Sequence, residues 1–342
     1  MNNKRIVKKR QSIMDILAKP SNYSLVVFFL TSIIFVSCSQ TEQRILTYTN
    51  PIIDKDLADP CVYFENGYYY LFATGKSKID GKGVQIYKSA DLKEWTAVGG
   101  AVQPGDTLDW NWKHFWAPEI IKLDGKFYLY YTASPKYSPD NIGNRVGAAV
   151  ADQIEGPYTD LGVVIPHGSI DGHPFIDDDG QMYMYYTIEH GNSDSLKAGL
   201  IYVDKMVSAN VVEGKPRLIL DNYSWQEGPV VQRVGNEYIL TFSQGNWRNE
   251  TYNVRYAKSS SLYGPFKEGN HQILKSNDVV KGPGHHFLFK DEGGKDWIAY
   301  HGWDTAHTGR YSRIDPIVIT SDTIYCNGPT YTPQEVTITI KK

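Results

Sequence analysis

Cysteine is scarce in this 342-residue chain: Cys38, Cys61 and Cys326 are the only three, with no C-x-x-C and no Cys/His spacing. That excludes a zinc module and a disulfide-stapled fold. Charged residues make only 21% against 41% apolar, too little charge and too much core material for a disordered chain. Positive charge is lacking too. The net charge of −3 leaves no basic footprint for phosphates, so nucleic acid is excluded as a partner. Methionine numbers 5 and no long helical periodicity runs through the chain, which argues against a helix bundle. No apolar run reaches the roughly 18 residues of a membrane span.

The longest such run, residues 25–36, follows Lys4, Arg5, Lys8, Lys9 and Arg10. This order reads as the charged and apolar regions of a secretory signal. Phe35-Val36-Ser37-Cys38 comes next and is similar to a bacterial lipoprotein signal, with Phe35 where that pattern usually has Leu. The competing reading is an ordinary secretory signal with an incidental cysteine. Both mean export. The expected organisation is a signal over 1–37, a short tether over 38–45 and one domain over 46–342. If Cys38 is acylated, the membrane is a partner and the location is the periplasm or the outer membrane and cell surface. Six of the 35 basic and one of the 38 acidic residues lie in 1–37, leaving 29 against 37 and a mature net charge of −8. Export permits a disulfide between Cys61 and Cys326; the alternative is two buried thiols.

What the chain has in quantity is aromatic residues (Tyr 25, Trp 8, Phe 12) and 30 glycines, a mixture suited to pleated surfaces and tight turns. Five segments repeat an apolar strand, a glycine turn and an aromatic strand. Two of them are W116-A-P-E-I-I-K-L-D-G-K-F-Y-L-Y-Y-T and D171-G-H-P-F-I-D-D-D-G-Q-M-Y-M-Y-Y-T. Asn66-Gly67, Asp124-Gly125, Asp179-Gly180 and Gly293-Gly294 are hairpin turn dipeptides. Gly67, Gly125, Gly180, Gly235 and Gly294 are spaced by 58, 55, 55 and 59 residues, the length of a four-stranded blade. The expected fold is all-β, a single five-bladed β-propeller.

The first strand of each propeller blade lines the central channel. Asp59, Glu119, Asp171, Glu227 and His285 stand six to nine residues ahead of their turn glycines, so all five are expected near one mouth. Converging carboxylates repel and desolvate one another, an arrangement kept where a proton is donated or taken. The competing account is that acids before Pro or Gly cap turns.

Asp59-Pro60, Trp116-Ala117-Pro118-Glu119, Ile170-Asp171 with Phe175-Ile176-Asp177, Glu227-Gly228-Pro229 and Gly282-Pro283-Gly284-His285 resemble, in order, the blade signatures of glycoside hydrolase family 43. The resemblance implies an inverting hydrolase, most often of α-L-arabinofuranosides or β-D-xylosides. It implies Asp59 as general base, Glu227 as general acid and Asp171 as the group that tunes and orients the acid. Glu119 is not a catalytic acid in that pattern. His285 matches a histidine that in some relatives holds calcium or another ion on the channel axis, with a hydrogen-bonded core histidine as the alternative; the chemistry itself requires no cofactor. Arg310 matches a substrate- or base-directed arginine, with Arg313 as fallback. His286 and His301 have weaker claims, and Asp177, Asp178 and Asp179 read as a solvated turn.

Aromatic rings pack on sugar C–H faces and exclude water. Trp116 and Trp225 are the expected platforms. The expected function is removal of terminal pentosyl units, first α-L-arabinofuranosyl, from polysaccharides or oligosaccharides. A β-D-xylosidase, β-D-galactofuranosidase or endo-arabinanase on the same scaffold is the alternative. A non-catalytic glycan-binding lipoprotein is the reading from another class; it gives no reason to keep all three carboxylates.

Overall fold

A computed structural model describes residues 41–191 and 195–341. The signal segment and Cys38 lie outside the described residues. No α-helix occurs among the described residues, and the strands form five antiparallel sheets plus one terminal pair.

Each sheet begins with the hairpin expected from its turn glycine. The inner and second strands are Cys61–Glu65 and Tyr68–Lys76 in blade 1, Lys113–Leu123 and Lys126–Ser134 in blade 2, and Ser169–Ile176 and Met182–Ile188 in blade 3. Blade 4 has Gln226–Val234 and Glu237–Gln244, and blade 5 has Lys281–Lys290 and Asp296–Trp303. Asn66 and Gly67, like Asp124 and Gly125, both take positive φ (50° and 81°, 49° and 79°), the mirror turn that matches the twist of the flanking strands. Inner strands contact in the order of blades 1 to 5, and the inner strand of blade 5 contacts that of blade 1. The sheets therefore close into a five-bladed propeller.

Five apolar clusters hold the ring, one at each blade interface. Phe72, Ile86 and Leu129 lie between blades 1 and 2, and Tyr186 and Met184 between 2 and 3. Phe242 with Tyr185 joins 3 to 4, Tyr300 with Val254 joins 4 to 5, and Trp297 with Leu71 joins 5 to 1. Fully burying each such side chain stabilises the ring by about 1.5–3 kcal/mol. The ring closes without a strand shared between the first and last blades. Thr41–Tyr48 instead pairs along its whole length with Gln334–Lys341, and Leu46, Tyr48 and Ile338 pack into the cluster between blades 5 and 1. Thr41 to Ile45, expected within the tether, are thus part of a strand. Cys61 and Cys326 are buried free thiols in different clusters, so the disulfide reading is not met.

Candidate active site

The inner strands do not run straight into the mouth. Register shifts interrupt their pairing at Trp116/Glu119, Ile170/His173, Glu227/Val230 and Gly284/Phe287. Beside each shift one residue is left-handed: Ala117 (φ 47°), Asp171 (φ 60°), Gly228 (φ 56°) and His285 (φ 43°), with Asp59 (φ 56°) in the same place in blade 1. A bulge re-aims the side chain it carries, here toward the channel. A non-glycine residue held left-handed costs on the order of 1 kcal/mol and persists where the surroundings over-determine it.

A latch repeats one layer out. Seven or eight residues after each turn glycine, near the end of the second strand, stands a residue that bonds the inner strand of the next blade, a hydroxyl residue in four of the five blades. Thr74 Oγ1 accepts from Ala117 N–H (2.9 Å), Thr132 Oγ1 from Asp171 N–H (3.1 Å) and Ser243 Oγ from His285 N–H (2.8 Å). Thr187 Oγ1 donates to Gln226 C=O (3.1 Å). In blade 5 the residue is His301, whose Nδ1 lies 3.3 Å from Asp59 N and 3.0 Å from Asp59 Oδ1. The hydroxyl ladder thus fixes the backbone that carries the acids, and in one blade it becomes part of the site.

Asp59, Asp171, Glu227, His285 and Arg310 come together, all partly or largely shielded from solvent. His285 Nδ1 stands between two carboxylates, 3.8 Å from Asp59 Oδ1 and 3.6 Å from Asp171 Oδ2. Asp59 is also reached by Arg310 at 3.6 Å and accepts a hydrogen bond from the Thr74 hydroxyl. Burial works against its ionised form, yet His285, Arg310 and His301 outweigh it and hold the carboxyl well below the usual carboxylate range. Asp171 is moved the other way. Burial first, then the Glu227 and Asp59 charges, push its carboxyl up against the pull of His285. Its Oδ2 accepts from Gly228 N–H (2.9 Å). A Cβ at left-handed Gly228 would sit 3.3 Å from His285 Nδ1, so glycine follows the acid because the imidazole approaches there.

Glu227 is held at both oxygens: Trp225 Nε1–H donates to Oε2 at 2.6 Å and the Tyr252 hydroxyl to Oε1 at 2.7 Å. Trp225 therefore orients the carboxyl through its indole, while its ring packs over Gly199, where a Cβ would lie 2.4 Å from the ring. His285 is pushed up by Asp59, Asp171 and Glu227 in spite of burial, which by itself lowers it. His301 is pushed down to about 4 and His286 to about 3, burial being the main cause in both, so both are neutral near pH 7.

The expectation of five polar residues at one mouth is corrected at Glu119. It pairs across the ladder with Tyr130, below the bulge, and hydrogen-bonds His173 Nδ1 at 2.6 Å; Ala117 takes the mouth position in blade 2. Trp116 is half-buried and stacks on His114, ring centroids 3.8 Å apart. Arg313 is buried and its contact is to Thr330 C=O. Asp177 pairs with Arg233 (3.2 Å) and Tyr238 (2.8 Å) near the hairpin turn at the other end of the strand.

Several site residues escaped the sequence reading. Tyr252 lies in a connection and carries no motif. Thr74 was legible only through the shared spacing from the turn glycines, a spacing that His301, given only a weaker claim from the sequence, also keeps. Trp247 and Trp303 stack 6.2 Å apart, and Arg310 lies 4.7 Å and 5.9 Å from their centroids. Glu189, just past the second strand of blade 3, is a buried carboxyl pushed up to about 7, chiefly by burial and further by Glu227.

Asp171, Glu227 and His285 offer ligand atoms within 4.8 Å of one another. Two carboxylates and an imidazole fit calcium poorly, since that ion takes 6–8 oxygens. The carboxylates are moreover already served by protein donors, and His285 supplies the local positive charge.

The sequence of the family model for glycosyl hydrolases family 43 matches residues 48–325. A β-D-galactofuranosidase of Aspergillus niger is 26% identical over 87% of this chain and 92% of its own length. An extracellular endo-α-(1→5)-L-arabinanase of Thermotoga petrophila is 27% identical over 71% of this chain, which spans 64% of that relative. Among solved structures, a thermostable family-43 glycoside hydrolase superposes with a TM-score of 0.72 at 27% identity, over 84% of this chain and 98% of that one. With the fold, the order of the blade motifs and the family match in agreement over nearly the whole described chain, this protein belongs to glycosyl hydrolases family 43 and is a glycoside hydrolase.

Proposed function

We propose that the chain is an inverting exo-glycosidase that removes a terminal pentofuranosyl unit, α-L-arabinofuranosyl first, from exported-side polysaccharides or oligosaccharides. Asp59, held ionised by His285 and Arg310, takes a proton from water as that water attacks the anomeric carbon. Glu227, fixed by Trp225 and Tyr252, gives its proton to the leaving glycosidic oxygen as the C–O bond breaks. Asp171 accepts the amide of Gly228, the residue after Glu227, and so orients the acid. No step of this reading uses a metal.

The observation that carries the reading is the opposed state of two buried aspartates on one imidazole, Asp59 pulled down and Asp171 pushed up. Carboxyls driven apart by their surroundings mark a site built for proton transfer, the ionised member being suited to the base; the acid role of Glu227 rests on its place in the order of the blade motifs. Inversion requires room for a water between base and acid; Asp59 and Glu227 belong to blades 1 and 4, with His285 of blade 5 next to Asp59. Proton NMR during early turnover is expected to show the inverted anomer. Retention, or a trapped covalent glycosyl adduct, would overturn the mechanism. A panel of aryl glycosides with arabinan, xylan and galactan fragments tests the sugar. Fastest cleavage of a β-D-galactofuranoside or β-D-xyloside would change the substrate and keep the acids in their roles, while mainly oligosaccharide release from debranched arabinan would overturn the exo reading.

Export follows from the basic and apolar order of residues 4–36 and is supported by the extracellular arabinanase relative. Cys38 is read as the lipid-bearing first residue of the mature chain. Cys38→Ala is expected to move the protein out of the membrane fraction; membrane association that survives the substitution would sink the anchor.

A further inference from the structure

The rim between blades 1 and 2 carries a feature that the acid cluster does not use. Lys76 ends the second strand of blade 1, two residues beyond Thr74, the residue that bonds Asp59. Trp112 immediately precedes the inner strand of blade 2 and its N–H donates to Ser134 C=O at 3.2 Å. Lys136 follows Ser134 by two residues. All three therefore stand on the face of the propeller where the acids open.

Lys76 Nζ lies 5.3 Å from the Trp112 ring centroid and 5.4 Å from that of Phe115; Lys136 Nζ lies 5.1 Å from Trp112 and 5.3 Å from Tyr137. Both lysines are exposed and Trp112 is half-buried. Lys113, next to Trp112, is by contrast neutralised by Asp140 at 2.8 Å. Among the described residues, no carboxylate lies within the 4.0 Å of an ion pair from Lys76 or Lys136. Their distances to one ring keep the two ammoniums within about 10 Å of each other, inside the range over which salt leaves charges coupled. An aromatic face attracts an exposed ammonium weakly and does not cancel its charge. In a mature chain of net charge −8, two such cations on one tryptophan at the active-site mouth form a local exception.

We propose that Trp112, Lys76 and Lys136 form a subsite for a glycan unit bearing an anionic substituent, the ring stacking on the sugar face and the ammoniums meeting the substituent. The inference rests on the glycan-cleaving reading of the acid cluster. It also separates two sugars. A unit at the catalytic centre faces Asp59, Asp171 and Glu227, where an anionic substituent would be repelled. The unit that is cleaved is therefore neutral, and the acidic unit is a neighbour along the chain.

The test is calorimetric binding of a xylo-oligosaccharide carrying one glucuronic acid side group and of the same oligosaccharide with its carboxyl reduced to the alcohol. A sulfated oligosaccharide of equal length forms a third arm. The wild type is expected to bind the uronate form about 5- to 10-fold more tightly than the reduced form at low salt, the order given by two exposed ion pairs. That ratio should fall toward one in about 0.5 M salt. In the Lys76→Gln/Lys136→Gln double variant the ratio should be near one at any salt, and Trp112→Ala should weaken both forms. Equal gain from uronate and sulfate supports a site that reads charge; gain from uronate alone supports one that reads a carboxylate. Equal wild-type affinities for the acidic and reduced forms, binding of neither, or a preference that survives in the double variant would overturn the subsite. Cleavage of neutral aryl glycosides reports separately on the catalytic reading. Charge preference without any cleavage would fail that reading and not this one, and cleavage without charge preference would do the reverse.

Discussion

Glu119 and Asp171 stand on inner strands of neighbouring blades, both buried and both preceded by residues of a blade motif, yet they do different things. Glu119 lies below the bulge of blade 2, pairs with Tyr130 across the ladder and is spent on His173 of blade 3, whose other nitrogen accepts Val231 N–H at 3.0 Å from blade 4. This carboxyl ties three blades together. Asp171 sits at the bulge of blade 3 and meets His285 and the Gly228 amide in the channel mouth. A displacement of two positions along a strand separates a carboxyl that ties blades together from one that meets an imidazole in the channel mouth. Side-chain direction, set by the bulge, decides the outcome; residue type does not.

The sharpest way to break this comparison is to remove the proposed base and acid themselves. Glu227→Gln and Asp59→Asn are each expected to lower kcat about 10²–10⁴-fold or more, the range of a lost proton-transfer role. The thermal midpoint should remain near that of the wild type. A variant keeping near wild-type kcat would remove that residue from its role.

Asp171→Asn should have a smaller effect with a characteristic pH signature. Asp171 holds the amide beside Glu227 and is itself pushed up by burial and by the Glu227 and Asp59 charges. With that titrating carboxyl gone, the basic limb of kcat/KM should move and kcat should fall. The acidic limb, governed by Asp59, should stay well below the usual carboxylate range because His285 and Arg310 still hold it there. An unchanged profile would make Asp171 a second Glu119.

Glu119→Gln should act in the opposite sense, losing about 1–3 kcal/mol of stability from a buried charge-assisted hydrogen bond. Its kcat at a temperature well below unfolding should stay within about threefold of wild type, since the residue transfers no proton. Chemical denaturation beside initial rates checks both halves. A large loss of kcat without loss of stability would show that the two acids are not so different.

Fold and site were legible to different depths. The turn glycines disclosed the repeat because positive φ at a two-residue hairpin admits few residue types, and the same constraint recurs in every blade. The acids of blades 1, 3 and 4 were legible through their place in that repeat. Glu119 misled because counting back from the glycine cannot see the bulge that lies between. His301 lies 242 residues from the Asp59 amide it approaches, and only ring closure makes them neighbours. Trp225 was legible as an aromatic two residues before Glu227; that its N–H holds the Glu227 carboxyl was not, because the direction of the indole depends on packing over Gly199.

By itself the sequence determined the period, the strand content and the order in which the candidate acids follow one another, because turn chemistry and alternation are local rules. The tertiary structure decided which carboxyl stays ionised and which is pushed toward its neutral form, because those states depend on burial and on charges from other blades: His285 and Arg310 of blade 5 around Asp59, and Glu227 of blade 4 beside Asp171. It also decided how the ring closes, with Thr41–Tyr48 laid along Gln334–Lys341, since pairing between strands nearly the whole chain apart leaves no periodic mark in either one.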